Sequence, residues 1–94
     1  MKELPKQFSG KGEVSGYSFH QIAKTNAGYI YEVSHSGANI RHFEVFMRRL
    51  NERFQSVSYP KSKSFGRSAW TYPTLEMAQK KLQEITQANH NRTQ

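Results

Sequence analysis

"FEVFMRRLNERF", residues 43–54, decides the fold because it satisfies two periodicities at once. At helical spacing Phe43, Phe46, Met47, Leu50 and Phe54 form one apolar stripe, whereas at strand spacing Phe43, Val45 and Met47 share a face. Four of the chain's six arginines, Arg41, Arg48, Arg49 and Arg53, lie in or beside this stretch, so the choice also decides where positive charge is displayed. The helical template is matched at more positions. Strand is nevertheless favoured over 41–49, because Phe, Val and Phe are β-favouring and no glycine follows Phe54 to cap a helix. An echo supports it: "YEV" at 31–33 and "FEV" at 43–45 repeat an aromatic, Glu, Val triplet, as the two arms of a hairpin would. Pairing Glu32 directly with Glu44 would oppose like charges, so the expected register sets His42 or Phe46 across from Glu32.

Upstream, "YSFHQIAK" (17–24) alternates Tyr17, Phe19 and Ala23 with polar residues, and "TNAG" (25–28) is a tight turn with Gly28 placed for positive φ. "YIYEVSH" (29–35) puts Tyr29, Tyr31 and Val33 on one face, and "SGAN" (36–39) signals a second turn. Residues 1–15 read as a flexible lead-in with only Leu4, Phe8 and Val14 to anchor it, order beginning near Gly16. Downstream, "ERFQSVSYP" (52–60) leaves the sheet with Pro60 ending any regular element there, "KSKSFGRS" (61–68) is a loop, and "SAWTY" (68–72) is a short strand or packs Trp70 and Tyr72 on the sheet. A helix is predicted over 74–88: Thr74 is a good N-cap, Glu76 favours the positive end, and Leu75, Ala78, Leu82 and Ile85 make one stripe. Residues 89–94 read as a frayed tail, leaving 16–88 as a single domain.

"FEVF" (43–46), "SYP" (58–60), "SFG" (64–66) and "AWTY" (69–72) ahead of a helix rich in Ala, Lys and Leu resemble a group of small uncharacterised proteins of bacteria and their mobile elements, over residues 29–86. The resemblance implies a β-meander followed by a C-terminal helix and carries no activity.

The fold expected is therefore α+β: an antiparallel meander of three to four strands, one C-terminal helix on one face, and the other face partly open or covered by the 50–70 loop. A 94-residue chain supports one modest core, and with aromatics at 13% of residues rings must supply much of it.

Function is constrained mostly by exclusion. Cysteine is absent, which removes disulfides, thiolate nucleophiles and Cys-based zinc sites. All seven acids are Glu; Glu32 and Glu44 read as solvated strand residues rather than a catalytic pair. His20, His35, His42 and His90 have no metal-ligand spacing, and "GKGEVSG" (10–16) fits neither phosphate-loop pattern. No catalytic residue, metal or cofactor is expected. No apolar run is long enough for a signal peptide or a membrane span, so the expected setting is cytoplasmic, without membrane contact.

Charge is the remaining signal. The chain carries a formal +7, and residues 41–67 hold seven cations against Glu44 and Glu52, a net +5. The leading expectation is a small non-enzymatic module binding nucleic acid, with Arg41, Arg48, Arg49, Arg53, Lys61, Lys63 and Arg67 on phosphates and Phe46 and Tyr59 stacking on bases. The alternative is a protein-interaction or accessory domain, possibly a homodimer, docking through an open sheet face with Ile22, Ile30 and Phe46.

Overall fold

A computed structural model describes residues 3–12, 15–35, 37, 41–51, 53 and 55–92; Val14, most of the 36–39 turn, Glu52 and Phe54 lie outside the described residues. In chain order the elements are β1 (Gln7–Ser9), β2 (Tyr17–Lys24), β3 (Gly28–His35), β4 (Arg41–Met47), β5 (Leu50–Asn51), β6 (Ser56–Val57), a 3₁₀ turn (Ser62–Ser64), β7 (Ala69–Tyr72) and α1 (Leu75–Arg92). Five strands form an antiparallel sheet in the order β1-β2-β3-β4-β7, and β5 and β6 make a separate small hairpin. The chain is α+β, with its one described helix packed on the sheet.

The ambiguous stretch is strand where it matters. β4 is paired on both sides, with Phe43 opposite Glu32 and Tyr72, and Phe46 opposite Tyr29 and Ala69. Alternation sends Phe43 and Val45 to one face and Glu44 and Phe46 to the other. All four are buried, because each face carries a covering layer, so the apolar residues need no common stripe. Glu32 therefore meets Phe43, rather than the expected His42 or Phe46, and Glu44 meets Tyr31. The two glutamates leave the sheet on opposite faces, which removes their repulsion.

One covering layer is α1. Ala78, Leu82 and Ile85 pack on Ile30, Phe43 and Val45, with Leu75, Trp70 and Tyr72 at the margin. Thr74 Oγ1 accepts the Met77 N–H at 3.4 Å, the expected N-cap, and Lys81 Nζ lies 4.3 Å from the Trp70 ring centre. α1 runs to Arg92, past the end expected at 88. Among the described residues no helix is long and apolar enough to cross a membrane.

The second layer is a lid of short, mostly irregular segments. Phe19, Tyr29, Tyr31, Val33 and Phe46 are covered by Val57, Tyr59 and Phe65 from the segment after β4, and by Leu4 and Phe8 from the N-terminus. Phe8 stacks on Phe19 with ring centres 4.7 Å apart, and β1 pairs with β2 along the sheet edge. The lead-in is thus a fifth strand and part of the core cover. Of the three apolar anchors that looked sparse in sequence, Leu4 and Phe8 both land on the aromatic face.

Gly28 also differs from expectation. Its φ is not positive; its value lies in the absence of a side chain. A Cβ there would fall 2.5 Å from the Phe46 carbonyl oxygen and 2.8 Å from Ile85 Cδ1. The turn itself is held by Thr25 Oγ1, which accepts the N–H groups of Ala27 at 3.1 Å and Gly28 at 3.2 Å and bonds Thr86 Oγ1 at 2.8 Å.

Candidate functional site

After Met47 the chain leaves the main sheet in a controlled way. The Arg48 N–H donates to the Ala27 carbonyl at 2.8 Å, and the Arg49 carbonyl accepts from Ser58 N–H at 3.2 Å. The β5–β6 hairpin then closes, with Leu50 opposite Val57 and Gln55 at φ 52° in its turn. The return to β7 is built on Ser64: its N–H donates to Lys61 O at 2.9 Å, and its carbonyl accepts from Arg67 and Ser68 at 3.0 Å each. Between hairpin and return lies a groove of about 470 Å³. Its lining includes Arg49, Asn51, Ser58, Tyr59, Lys61, Ser64 and Ser68.

Arg49 and Lys61 are both exposed and twelve residues apart in sequence, yet they border one concavity. Hydroxyls of Ser58, Ser64 and Ser68 and the Asn51 amide supply neutral hydrogen-bonding groups beside them. Two cations with neutral donors, and no carboxylate among the described lining residues, suit an oxyanion rather than a metal ion.

Tyr59 forms the inner wall, and Glu44 fixes it. The Tyr59 hydroxyl donates to Glu44 Oε1, and His42 Nε2 lies 3.1 Å from Glu44 Oε2. Burial, followed by the nearby carboxylate charge and the hydrogen bond to it, drives Tyr59 ionisation to far higher pH than a free phenol. Glu44 is thus a buried residue, not the solvated strand glutamate expected. The sequence carried no sign of this, since its partner is fifteen residues away in a segment without periodicity.

The remaining candidates divide. Arg53, Lys63 and Arg67 are exposed on the segments that frame the groove but are not part of its lining. Arg41 stands at the other end of β4, with its guanidinium 3.7 Å from Glu32 Oε2. Arg48 is engaged by Glu3: its Nε donates to Oε1 at 3.0 Å and its terminal nitrogen to Oε2. Phe46 is not a stacking residue. It is 0% exposed, between Tyr29 and Tyr31 at ring distances of 5.5 and 5.6 Å and against Tyr59 at 5.3 Å, because the lid closes over its face. The three residues named for docking share no open face: Ile30 and Phe46 are wholly buried on opposite faces, and of that trio Ile22 alone is exposed, at 39%. Tyr59 keeps part of its ring toward the groove, with the rest packed edge-on against Phe8 and Phe19.

Serines and Asn51 gave no sequence signal, being common loop residues. Glu3 could have been noticed as the sole acid within the first twelve residues. Comparisons with family models, with curated proteins and with solved structures find no match, so the site rests on the chain's own geometry.

Proposed function

We propose that the chain is a small non-enzymatic nucleic-acid-binding module whose principal contact is the groove between the β5–β6 hairpin and the 61–64 turn. The observation that carries this reading is the meeting of Arg49, Tyr59 and Lys61 around one concavity with three serines. Cations and hydroxyls address phosphate and sugar oxygens, and the exposed part of Tyr59 offers a limited apolar surface to a base or sugar. With one partly covered ring instead of a row of open ones, the contact is weighted toward the backbone, which favours binding with little sequence preference. Exposed Arg53, Lys63 and Arg67 on the same segments add attraction at longer range.

The test is a titration of labelled single- and double-stranded oligonucleotides at about 50 and about 200 mM salt. Binding should weaken log-linearly with salt. Arg49→Gln and Lys61→Gln should each weaken it for all sequences and reduce the salt slope by about one. Absence of binding at the lower salt, or full binding by the double variant, would refute the reading.

A further inference from the structure

A second cationic notch lies beside the β2–β3 turn, built from residues the groove does not use. Its centre is the Glu3 carboxylate. Oε1 accepts from the Tyr29 hydroxyl and from Arg48 Nε at 3.0 Å, and lies 3.3 Å from Lys24 Nζ; Oε2 accepts from a terminal nitrogen of Arg48. Three side chains from β2, β3 and the end of β4 therefore converge on one anion supplied by the N-terminal segment.

Three features distinguish this arrangement from an ordinary surface ion pair. A guanidinium presenting two N–H groups to two oxygens, with an ammonium and a phenol completing the set, is a donor array that serves phosphate as well as carboxylate. Among the described residues two cations, Lys24 and Arg48, face the one carboxylate of Glu3, so their formal charges exceed its charge by one. A dianion would balance them. The space is also larger than its occupant needs, since a cavity of about 550 Å³ opens here, lined by Glu3, Lys24, Thr25, Asn26 and Arg48.

Glu3 is placed to leave. It precedes β1 by four residues, and the segment's other described attachments, Leu4 packed on the aromatic core, the Pro5 carbonyl accepting from the Tyr31 hydroxyl at 2.6 Å and Phe8 stacked on Phe19, lie further along. These attachments hold β1 on the sheet without using the Glu3 side chain. We propose that the notch of Lys24, Tyr29 and Arg48 is a phosphate-monoester site that the chain closes on itself, the Glu3 carboxylate standing in for the phosphate. For its oligonucleotide arm this rests on the nucleic-acid reading above, adding recognition of a terminal phosphate. Its inorganic arm does not.

In the experiment, inorganic pyrophosphate is titrated into the full chain while NMR follows the Arg48 Nε–H signal in the wild type, Glu3→Ala and Glu84→Ala. Glu84 is an exposed helix residue paired with Lys81 and matches the change in net charge. Removing the competitor should tighten binding about tenfold in Glu3→Ala. Glu3→Gln, which keeps side-chain volume and loses only charge, should show a smaller gain, and Glu84→Ala should match the wild type. Arg48→Gln should abolish the response. No Arg48 response in Glu3→Ala, or equal tightening by Glu84→Ala, overturns the proposal. Oligothymidylate with a 5′-phosphate is then compared with the 5′-hydroxyl form. Preference for the phosphorylated form that Glu3→Ala enhances supports both readings. Pyrophosphate binding with neither oligomer bound keeps the notch and removes the nucleic-acid function. Equal binding of both oligomers without a pyrophosphate response removes the notch alone.

Discussion

The Glu44–Tyr59 contact should be worth more than either side chain alone, and a double-mutant cycle can measure it. Tyr59→Phe removes the donor and leaves Glu44, a buried carboxylate, with His42 as its partner. Loss of a hydrogen bond to a charged group costs about 1.5–3 kcal/mol. Glu44→Leu strands the Tyr59 hydroxyl under the lid, at about 1–3 kcal/mol. In the double variant neither orphan exists, since an apolar side chain at position 44 would meet a plain phenyl ring at position 59. The lost His42 contact cancels between the two legs that carry Glu44→Leu. The double variant should therefore be more stable than the sum of the singles predicts by about 1.5–3 kcal/mol. Urea unfolding reads this cleanly, because Trp70 is the chain's one tryptophan and sits on the opposite face under α1. With a slope of about 1 kcal/mol per molar for a chain this small, a coupling of about 2 kcal/mol moves the midpoint by about 2 M. Additivity within about 0.5 kcal/mol would show that the contact does not hold Tyr59, and the account of the groove's inner wall would fail.

Phe46→Ala should cost about 3–5 kcal/mol in the same unfolding assay, while the folded fraction keeps its oligonucleotide affinity; lost affinity at unchanged stability would return Phe46 to a stacking role. Gly28→Ala should destabilise by about 2–3 kcal/mol, because the Phe46 carbonyl it meets is fixed in a ladder, and a neutral result in thermal melts would mean that α1 and β4 separate easily. Acid should loosen the N-terminal segment. The Arg48 hydrogen bonds, then that of Tyr29, hold Glu3 at about 2 against an ordinary 4.5, so its contribution is full above 4.5 and is lost as pH falls toward 2. Hydrogen exchange at Arg48 Nε–H, which donates to Glu3 Oε1, should rise in that window while the β1–β2 amides keep their protection, and unchanged protection of Arg48 Nε–H would contradict the anchor. Alkali should act on the same face. Burial, then the Glu3 bond, pushes Tyr29 up to about 12, and burial raises Tyr31, so their stabilising contribution is present below 10 and declines as pH climbs toward 12. Tyrosine absorbance should show these two rings ionising with unfolding; ionisation near 10 in the folded protein would contradict their burial.

Element type was readable wherever caps, turns or a regular stripe bounded the segment. The α1 stripe, its Thr74 cap and the β2–β3 hairpin all follow local rules, since the periods of helix and strand are intrinsic to the backbone. The stretch 43–54 was harder because β4 is covered on both faces, which erases alternation and lets helical spacing arise by coincidence. The clustering of charge in 41–67 was legible too. Its direction was not: Arg49 and Lys61 meet, whereas Arg41 and Arg48 go to Glu32 and Glu3.

What the sequence determined by itself was the inventory: a cysteine-free, glutamate-only, strongly basic chain with enough rings for one core and a helix at its end. What only the tertiary structure decided was which groups were spent on the fold. Glu3 reaches Arg48 across 45 residues and Glu44 reaches Tyr59 across 15, and Phe46 is sealed by segments from both sides of it in the chain. The physical reason is that burial and charge pairing depend on distance in space, and a lid assembled from two remote, aperiodic segments leaves no local pattern by which its contacts could be foreseen.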